Sequence, residues 1–351
     1  MELTLRINEI AFGGSGVGKA EGKVIFVPFT IDGEWAQVRI IQSHKSFSSA
    51  SVQTILQASP YREKPPCPYY QTCGGCDYQH IQYPHQLELK RLQVEQTLRR
   101  IGKLSEIAVP PVIPSPKSYG FRNRITIHSD GHAVGFFRKR SRRIVDIVRC
   151  ALASDAVNAK LTELRRQGLA AGSHVTVRED DAMTTFTQTN DDVARSVLDY
   201  VRGRVQGPFL VDAYCGSGFF AHQLASAVET VIGIEWNQLA CDLAAQSALA
   251  HEKYYCGDVA DLLPLVLQKN RVSTLLLDPP GEGLTKPVCA TISKYPPKTL
   301  IYISCNPATF ARDLSRLRTT FRLIEVQPFD MFPQTAEIEL AALLETKLVA
   351  G

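Results

Sequence analysis

Apolar and polar residues alternate in short runs over residues 1–57 of the chain. The runs include Leu3-Thr-Leu-Arg-Ile, Val24-Ile-Phe-Val and Ala36-Gln-Val-Arg-Ile-Ile, and Gly-rich or Asp-Gly turns separate them. A period of two is typical of strands with one buried face, and many short strands joined by tight turns favour an antiparallel barrel. We therefore predict a small N-terminal β-barrel domain over residues 1–57.

One segment of this region, Gly13-Gly-Ser-Gly-Val-Gly-Lys-Ala, is close to the pattern of a phosphate-binding loop. In that loop a Ser or Thr hydroxyl binds magnesium and a helix follows. Here Ala20 takes the place of the hydroxyl, and an apolar strand pattern, Lys23-Val-Ile-Phe-Val, follows. We interpret the segment as a hairpin turn.

Residues 58–187 combine helical and strand patterns and are predicted to form a central α+β domain. A linker rich in proline and charge, Pro60-Tyr-Arg-Glu-Lys-Pro-Pro, opens this region. Apolar residues at helical spacing predict a helix over 82–101 that stops at Gly102 and packs on the domain that follows. Strand-like segments follow at 123–128, 133–137 and 174–177.

From residue 188 to 351, apolar strands alternate with helical patterns, which predicts parallel βαβ units and a Rossmann-like α/β domain. Three strand ends carry reactive or charged residues. They are Phe209-Leu-Val-Asp-Ala-Tyr-Cys-Gly-Ser-Gly, Thr274-Leu-Leu-Leu-Asp-Pro-Pro, and Thr299-Leu-Ile-Tyr-Ile followed by Ser304-Cys-Asn-Pro. The carboxyl ends of parallel strands meet at the edge where such folds bind ligands, so these residues are expected in one site.

The turn that begins at Asp212 favours S-adenosylmethionine over a dinucleotide. Its glycines let the backbone bend beneath a ligand, but the third glycine of a pyrophosphate-binding loop is missing. An acid at the turn repels pyrophosphate and suits an ammonium or a sulfonium group. Glu235 ends the next strand, nineteen residues beyond Gly216, an offset at which an acid accepts hydrogen bonds from ribose hydroxyls.

The thiol of Cys305 is suited to methylation of a pyrimidine carbon. Addition of a thiolate at C6 turns C5 into a nucleophile, and a base must later remove the C5 proton. Glu339 is the candidate base. The alternative for both residues is structural, with Cys305 packed in the core and Glu339 solvated. A second alternative is methylation of a base amine, but Gly281 stands where such enzymes carry an aromatic residue after Asp-Pro-Pro.

Three cysteines are clustered as C-x5-C-x2-C at Cys67, Cys73 and Cys76, and Cys150 is the only other cysteine before the α/β domain. Thiolates at this density suit zinc or an iron–sulfur cluster. Gly74 permits the tight loop that would turn the flanking sulfurs inward. Free packing thiols are the alternative.

Composition limits the remaining classes. The chain has 351 residues, a net charge of +4 and nine cysteines, with no apolar run of membrane-spanning length and no secretory signal pattern at its N-terminus. An odd number of cysteines without such a signal favours the reducing cytoplasm. The run Arg138-Lys-Arg-Ser-Arg-Arg is either a solvated face or a phosphate contact. Nothing indicates a membrane or an obligate protein partner.

Together these motifs resemble the S-adenosylmethionine-dependent RNA 5-methyluridine methyltransferases, the uracil-C5 class that acts on ribosomal and transfer RNA. The resemblance spans the whole chain, and its N-terminal barrel is similar to the TRAM RNA-binding domain. Further matching segments are Ser115-Pro-Lys-Ser-Tyr-Gly-Phe-Arg-Asn-Arg, Phe186-Thr-Gln-Thr-Asn and Asp330-Met-Phe-Pro-Gln-Thr. The resemblance implies an RNA substrate, ribosomal RNA ahead of transfer RNA.

The resemblance also implies roles for residues. Cys305 would be the nucleophile and Glu339 the base, and S-adenosylmethionine would be bound by Gln188, Tyr214, Glu235 and Asp278. A 4Fe–4S cluster would be bound by Cys67, Cys73, Cys76 and Cys150. Two positions depart from the family: Gly281 replaces an arginine after Asp-Pro-Pro, and Glu337 replaces a histidine. These departures leave one alternative outside enzymes, an iron–sulfur RNA-binding protein without catalysis.

Overall fold

The computed structural model describes residues 2–104, 106–180 and 188–347 of the chain. The chain divides into two compact units, one of residues 1–93, 116–180 and 332–337, and the other of residues 94–115, 181–331 and 338–351. The first unit contains most of the N-terminal and central regions, so the domain boundaries at residues 57 and 187 stay predictions. No helix in the described part of the chain is long and apolar enough to cross a membrane.

Six strands form the N-terminal sheet of the first unit: β1 (Glu2–Arg6), β2 (Glu9–Ile10), β3 (Ser15–Ala20), β4 (Lys23–Pro28), β5 (Trp35–Ser43) and β6 (Phe47–Gln57). Their order is β1-β5-β6-β4-β3-β2, and only β4 and β6 pair in parallel. The alternation in the sequence places one face of each strand inside, where Ile7, Val27, Ala36 and Val38 are fully buried. The predicted small β-domain is confirmed.

Residues 13–20 form the predicted hairpin element. Gly13 and Gly14 have φ angles of 92° and 83°, and the chain then enters β3, which pairs antiparallel with β4. A Cβ at Gly16 would overlap the hydroxyl of Thr30, so packing in the sheet requires a glycine there. The glycines of this segment therefore serve the fold, and a strand follows them where a phosphate-binding loop has a helix.

A second sheet in the first unit has four antiparallel strands: β7 (Arg124–Ser129), β8 (Val134–Phe137), β9 (Ile144–Asp146) and β10 (His174–Arg178). Their order is β10-β7-β8-β9. Helix α2 (Asp155–Gln167) contributes Val157 and Leu161 to a core that includes Ile125 and Ile127 from the sheet. The strand-like segments that the sequence predicted correspond to β7, β8 and β10.

The second unit is built on a seven-stranded sheet: β11 (Phe209–Ala213), β12 (Thr230–Glu235), β13 (Glu252–Cys256), β14 (Thr274–Leu277), β15 (Thr299–Ser304), β16 (Phe321–Phe329) and β17 (Glu339–Thr346). Its helices are α3 (Asp191–Arg202), α4 (Phe219–Leu224), α5 (Gln238–Gln246), α6 (Val259–Lys269), α7 (Lys286–Lys294) and α8 (Pro307–Leu317). The strand order is β13-β12-β11-β14-β15-β17-β16, in which the first five strands are parallel and β17 runs antiparallel to β15. β16 pairs antiparallel with β17 and therefore runs in the direction of the first five strands. This order confirms the Rossmann-like α/β prediction.

The helix predicted over 82–101 is divided in two. Helix α1 (Tyr83–Thr97) continues into a π-helical turn, Leu98–Gly102, and the chain leaves the helix at Lys103 with φ 58°. The left-handed position therefore falls one residue after the predicted glycine stop. Gly102 instead lies against α8, where a Cβ would approach the carbonyl oxygen of Ala311 to 3.4 Å.

Candidate active site

The sharp turn between β15 and α8 presents Cys305. All six residues of β15 are buried, whereas Cys305 is exposed directly after the strand. Asn306 starts the helix, since its side-chain oxygen accepts the N–H groups of Ala308 at 3.0 Å and Thr309 at 3.4 Å. Pro307 at the first helical position adds no unpaired N–H. The thiol therefore lies at the positive end of a helix and at the carboxyl edge of the sheet.

Glu339 begins the strand next to β15. The antiparallel register of β15 and β17 pairs Ser304 with Leu340. Cys305, which follows β15, and Glu339, which begins β17, therefore lie at the same edge of the sheet. Glu339 is only 5% exposed. Glu337, by contrast, is exposed and precedes β17.

The loop after Asp-Pro-Pro lies against the thiol. A Cβ on Gly281 would be 3.9 Å from Cys305 Sγ. The carbonyl oxygen of Gly281 accepts hydrogen bonds from Asn306 Nδ2 at 3.1 Å and Thr309 Oγ1 at 2.9 Å. Arg312 donates to the carbonyl oxygen of Glu282 at 2.7 Å. Helix α8 therefore holds the loop, and a cation near it comes from α8 and not from the position after Asp-Pro-Pro.

A buried carboxylate completes this attachment. Asp313 is fully buried, and its Oδ2 accepts the N–H of Leu284 at 2.8 Å. Gly283, with φ 73°, leaves no room for a Cβ beside Asp313 and Arg312. These contacts were not predicted from the sequence, although one signal was available: Asn306, which caps α8, and Thr309 and Asp313 on α8 recur at helical spacing.

Three acids end adjacent parallel strands on the cofactor side of the sheet. Asp212 on β11 is fully buried, and its Oδ2 accepts the N–H of Ala221 at 3.0 Å, whereas its Oδ1 has no hydrogen-bond partner among the described residues. Burial, followed by the nearby carboxylates of Asp278 and Glu235, raises the pKa of Asp212 well above its usual range. Burial also raises the pKa of Asp278 to about 7. A ligand with a positive charge suits this concentration of carboxylates.

The turn after β11 has the shape that a ligand-binding loop needs. Tyr214 takes a left-handed conformation with φ 67°, and Gly216 and Gly218 also have positive φ. Glu235 Oε2 accepts the N–H of Gly216 at 2.9 Å, which links the turn to the end of β12. Gln188 is half-buried and precedes α3, while Phe186 and Thr187 of the same motif lie outside the described residues.

The four cysteines of the first unit line one cavity of about 80 Å³. Cys67, Cys73, Cys76 and Cys150 are all free of disulfides. Burial raises the pKa of Cys73 and Cys150, and that of Cys76 to about 12. No group of three or more His, Cys, Asp or Glu within the described ranges is arranged so that it could hold a metal ion.

Hydrogen bonds fix the loops that present these thiols. Cys73 N–H donates to the carbonyl oxygen of Tyr69 at 2.8 Å, and Cys67 N–H donates to the Gln79 side chain at 3.3 Å. Cys150 comes from a segment far along the chain, and Asn158 holds it by bonding both its N–H and its carbonyl group. The structure therefore brings together all four cysteines that the sequence singled out.

Comparison with known proteins identifies the class. The fold is similar to that of a solved methyltransferase: the crystal structure of Pyrococcus abyssi tRNA (uracil-54, C5)-methyltransferase in complex with S-adenosyl-L-homocysteine superposes with a TM-score of 0.76. The two sequences are 24% identical, and the match covers 97% of this chain and 100% of that one.

Sequence relatives define the family. Residues 257–347 match the tRNA (Uracil-5-)-methyltransferase family, and residues 1–52 match the TRAM domain. An uncharacterized RNA methyltransferase of Bdellovibrio bacteriovorus is 32% identical over 98% of this chain and 95% of its own length. An uncharacterized RNA methyltransferase of Gloeobacter violaceus is 28% identical over 98% of this chain and 96% of its own length. The chain therefore belongs to a family of RNA methyltransferases, and its C-terminal region carries the tRNA (Uracil-5-)-methyltransferase family domain.

The attachment of the Gly281 loop to α8 can be tested at Gly283. Gly283→Ala is expected to lower kcat/KM for RNA methylation roughly 10²-fold, because the new methyl group displaces the loop beside Cys305 and a shift of about 1 Å near reacting atoms has this effect. Gly172→Ala is the control, since Gly172 also has positive φ (80°) but no atom within 4 Å of its would-be Cβ. Methyl transfer from labelled cofactor measures both, and equal kcat/KM values would show that the loop tolerates displacement.

Proposed function

We propose that the protein forms 5-methyluridine in structured RNA, with Cys305 as the nucleophile and Glu339 as the proton acceptor. The observation that supports this most is the register of β15 and β17, which puts a thiol and a buried carboxylate at the same sheet edge. Carbon methylation needs this pair, whereas methylation of a base amine needs neither. Gly281, which is not aromatic, also argues against the amine reaction.

The reaction proceeds through a covalent adduct with the RNA. The Cys305 thiolate, favoured at the N-terminus of α8, adds to C6 of uracil and leaves an enolate on the ring. When bound, S-adenosylmethionine would supply an electrophilic methyl group to C5 and would leave as S-adenosylhomocysteine. Glu339 then removes the C5 proton, the C5–C6 double bond forms again, and the thiolate departs from C6. Cys305 is thereby regenerated, and methyl transfer moves no net electrons.

The cofactor residues are proposed as Gln188, Tyr214, Glu235 and Asp278. Support comes from the carboxylates at the ends of β11, β12 and β14, whose mutual repulsion a sulfonium and an ammonium would relieve. Glu235 already binds the N–H groups of Gly216 and Asn237, so its geometry is fixed before a ribose reaches it. The orphaned Oδ1 of Asp212 is a further acceptor at this edge.

We also propose a 4Fe–4S cluster bound by Cys67, Cys73, Cys76 and Cys150. All four free thiols face one cavity, which fits a ligand set of thiolates. A single zinc ion would need four sulfurs at about 2.3 Å from one point. A 4Fe–4S cluster would take one thiolate on each of its four irons, so it would suit four thiols that line one cavity without meeting at one point.

The substrate is an RNA in the cytoplasm, and the TRAM domain and the exposed arginines after β8 support RNA binding. The resemblance in sequence favours ribosomal RNA over transfer RNA, while the similar crystal structure is that of an enzyme named for transfer RNA uracil-54. Mapping 5-methyluridine in ribosomal and transfer RNA with and without the gene decides between them. An unchanged map in both would contradict the proposed activity.

RNA containing 5-fluorouridine is expected to trap the enzyme through Cys305. Fluorine at C5 cannot leave as a proton, so the reaction stops after methyl transfer with the thiol still attached to C6. The adduct should survive a denaturing gel, and Cys305→Ala should abolish it. An adduct that persists in Cys305→Ala would identify another nucleophile, and methylation that persists in this variant would favour the amine reaction.

Glu339→Gln is expected to lower steady-state turnover by ~10²–10⁴, the usual effect of losing a general base. Addition of Cys305 and methyl transfer should still occur, so ordinary RNA should accumulate as a covalent methylated adduct. Glu337→Gln is the control, because Glu337 is exposed and lies outside β17. Trapping by Glu337→Gln together with normal turnover of Glu339→Gln would reassign the base.

Protein purified without oxygen is expected to be brown and to contain about four irons and four acid-labile sulfides per chain. The Cys76→Ser variant should lose the brown colour and the iron. The Cys256→Ser variant should keep both, because Cys256 is an exposed cysteine of the other unit. Metal and sulfide analysis measures both. Stoichiometric zinc without iron or sulfide would show that the cavity holds a different metal.

A further inference from the structure

Three aromatic rings form a row across the outer face of the four-stranded sheet. Phe137 on β8 stacks on His128 of β7 with ring centroids 4.0 Å apart and an interplanar angle of 24°. His174 on β10 lies next to His128, with centroids 6.3 Å apart. The side chain of Phe137 is 38% exposed, and His174 is exposed. The other face of the sheet packs against α2, so this row is not part of the core.

A basic turn follows the row directly. Residues 138–143 connect β8 to β9, and Arg138 N–H bonds to the carbonyl oxygen of Arg143 at 2.8 Å. Lys139 points inward, where it pairs with Asp77 and lies 5.8 Å from the ring centroid of Phe29. The turn therefore has one inward cation that attaches it to the body of the first unit. The remaining four cations are exposed arginines without an acidic partner in the described part of the chain: Arg138, Arg140, Arg142 and Arg143.

We propose that this row and the basic turn bind a single-stranded segment of the substrate RNA, with unstacked bases on the rings and phosphates on the arginines. This surface is additional to the methyl-transfer site, and its RNA partner rests on the proposed function. Stacking of bases on aromatic rings tolerates any sequence, because every base has a π-face, and a positive rim follows the backbone. A duplex keeps its bases stacked inside and would use only the arginines.

Exposed rings and unpaired arginines would each be unremarkable alone. Their adjacency is the argument: β8 ends in Phe137 and the turn begins at the next residue, so a strand of RNA that stacks on the row places its backbone beside the turn. Two threonines, Thr126 and Thr176, are exposed on the same face of the sheet, and their hydroxyls bond each other at 3.0 Å. These two threonines have no ring and provide a matched control on the same face.

The test measures affinity of the full-length protein for a labelled 12-nucleotide single-stranded RNA and for the blunt duplex of the same sequence. Phe137→Leu and His174→Ala are each expected to weaken single-strand binding about fivefold to a hundredfold, the effect of losing one stacked base. Duplex binding should change less than twofold. Thr176→Ala should leave both affinities unchanged.

The salt dependence of RNA affinity distinguishes a loss of base stacking from a loss of phosphate contacts. The slope of log affinity against log salt should stay the same in Phe137→Leu and His174→Ala, because no phosphate contact is lost. Arg140→Ala should weaken both RNAs and reduce the slope by about 0.7 for the single strand. His174→Ala keeps the test decisive if Phe137→Leu changes the thermal unfolding curve, since His174 is exposed.

Single-strand binding within twofold of the parent in both ring variants would overturn the proposal. So would an equal loss on single strand and duplex, because the row would then act on the fold or the charge alone. Trapping by 5-fluorouridine RNA is measured in parallel. If binding depends on the rings but the parent protein forms no adduct, the catalytic proposal is contradicted and the proposed RNA-binding surface is supported. If the parent protein forms an adduct but binding does not depend on the rings, the catalytic proposal is supported and the proposed surface is contradicted.

Discussion

The buried carboxylate of Asp313 holds the surroundings of Cys305 together. It accepts hydrogen bonds from the backbone of Leu284, from the hydroxyl of Tyr302 on β15 and from the guanidinium of Arg312. A buried carboxylate without such partners would strongly destabilise the fold, so the folded state depends on each of these hydrogen bonds. Because one partner belongs to the loop after Asp-Pro-Pro and another to the strand that ends at Cys305, a single side chain fixes how closely loop and thiol approach.

Residues at strand ends could be predicted from the sequence, whereas the contacts between loops could not. Apolar, β-branched runs before Asp278 and Cys305 are local signals, and the rule that parallel strands end at one edge brings the two residues together. The bond between Leu284 and Asp313 joins residues 29 positions apart, and no local pattern encodes it.

In the cysteine cavity, sequence spacing predicts the proximity of three cysteines but not that of the fourth. Cys67, Cys73 and Cys76 are close in the sequence, so their proximity follows from a short glycine-containing loop. Cys150 lies 74 residues beyond Cys76, and only the packing of the segment before α2 brings it to the same cavity. Asn158, one turn into α2, bonds the backbone of Cys150 on both sides, which is a tertiary contact that an inspection of cysteines does not find.

The carboxyl edge of the large sheet brings three acids onto adjacent strands, where their ionised forms would repel one another. Burial and mutual repulsion raise the pKa of Asp212, and burial raises that of Asp278, so ionising both is unfavourable without a cation nearby. A bound sulfonium favours the ionised forms of Asp212 and Asp278 and so offsets part of the electrostatic free energy that burying these carboxyl groups costs. Cofactor binding and folding stability are therefore linked, and at a cofactor concentration of 100 times Kd the linkage contributes about 2.7 kcal/mol to the free energy of unfolding. The same charges that disfavour the empty edge thus select a cationic cofactor over an anionic dinucleotide.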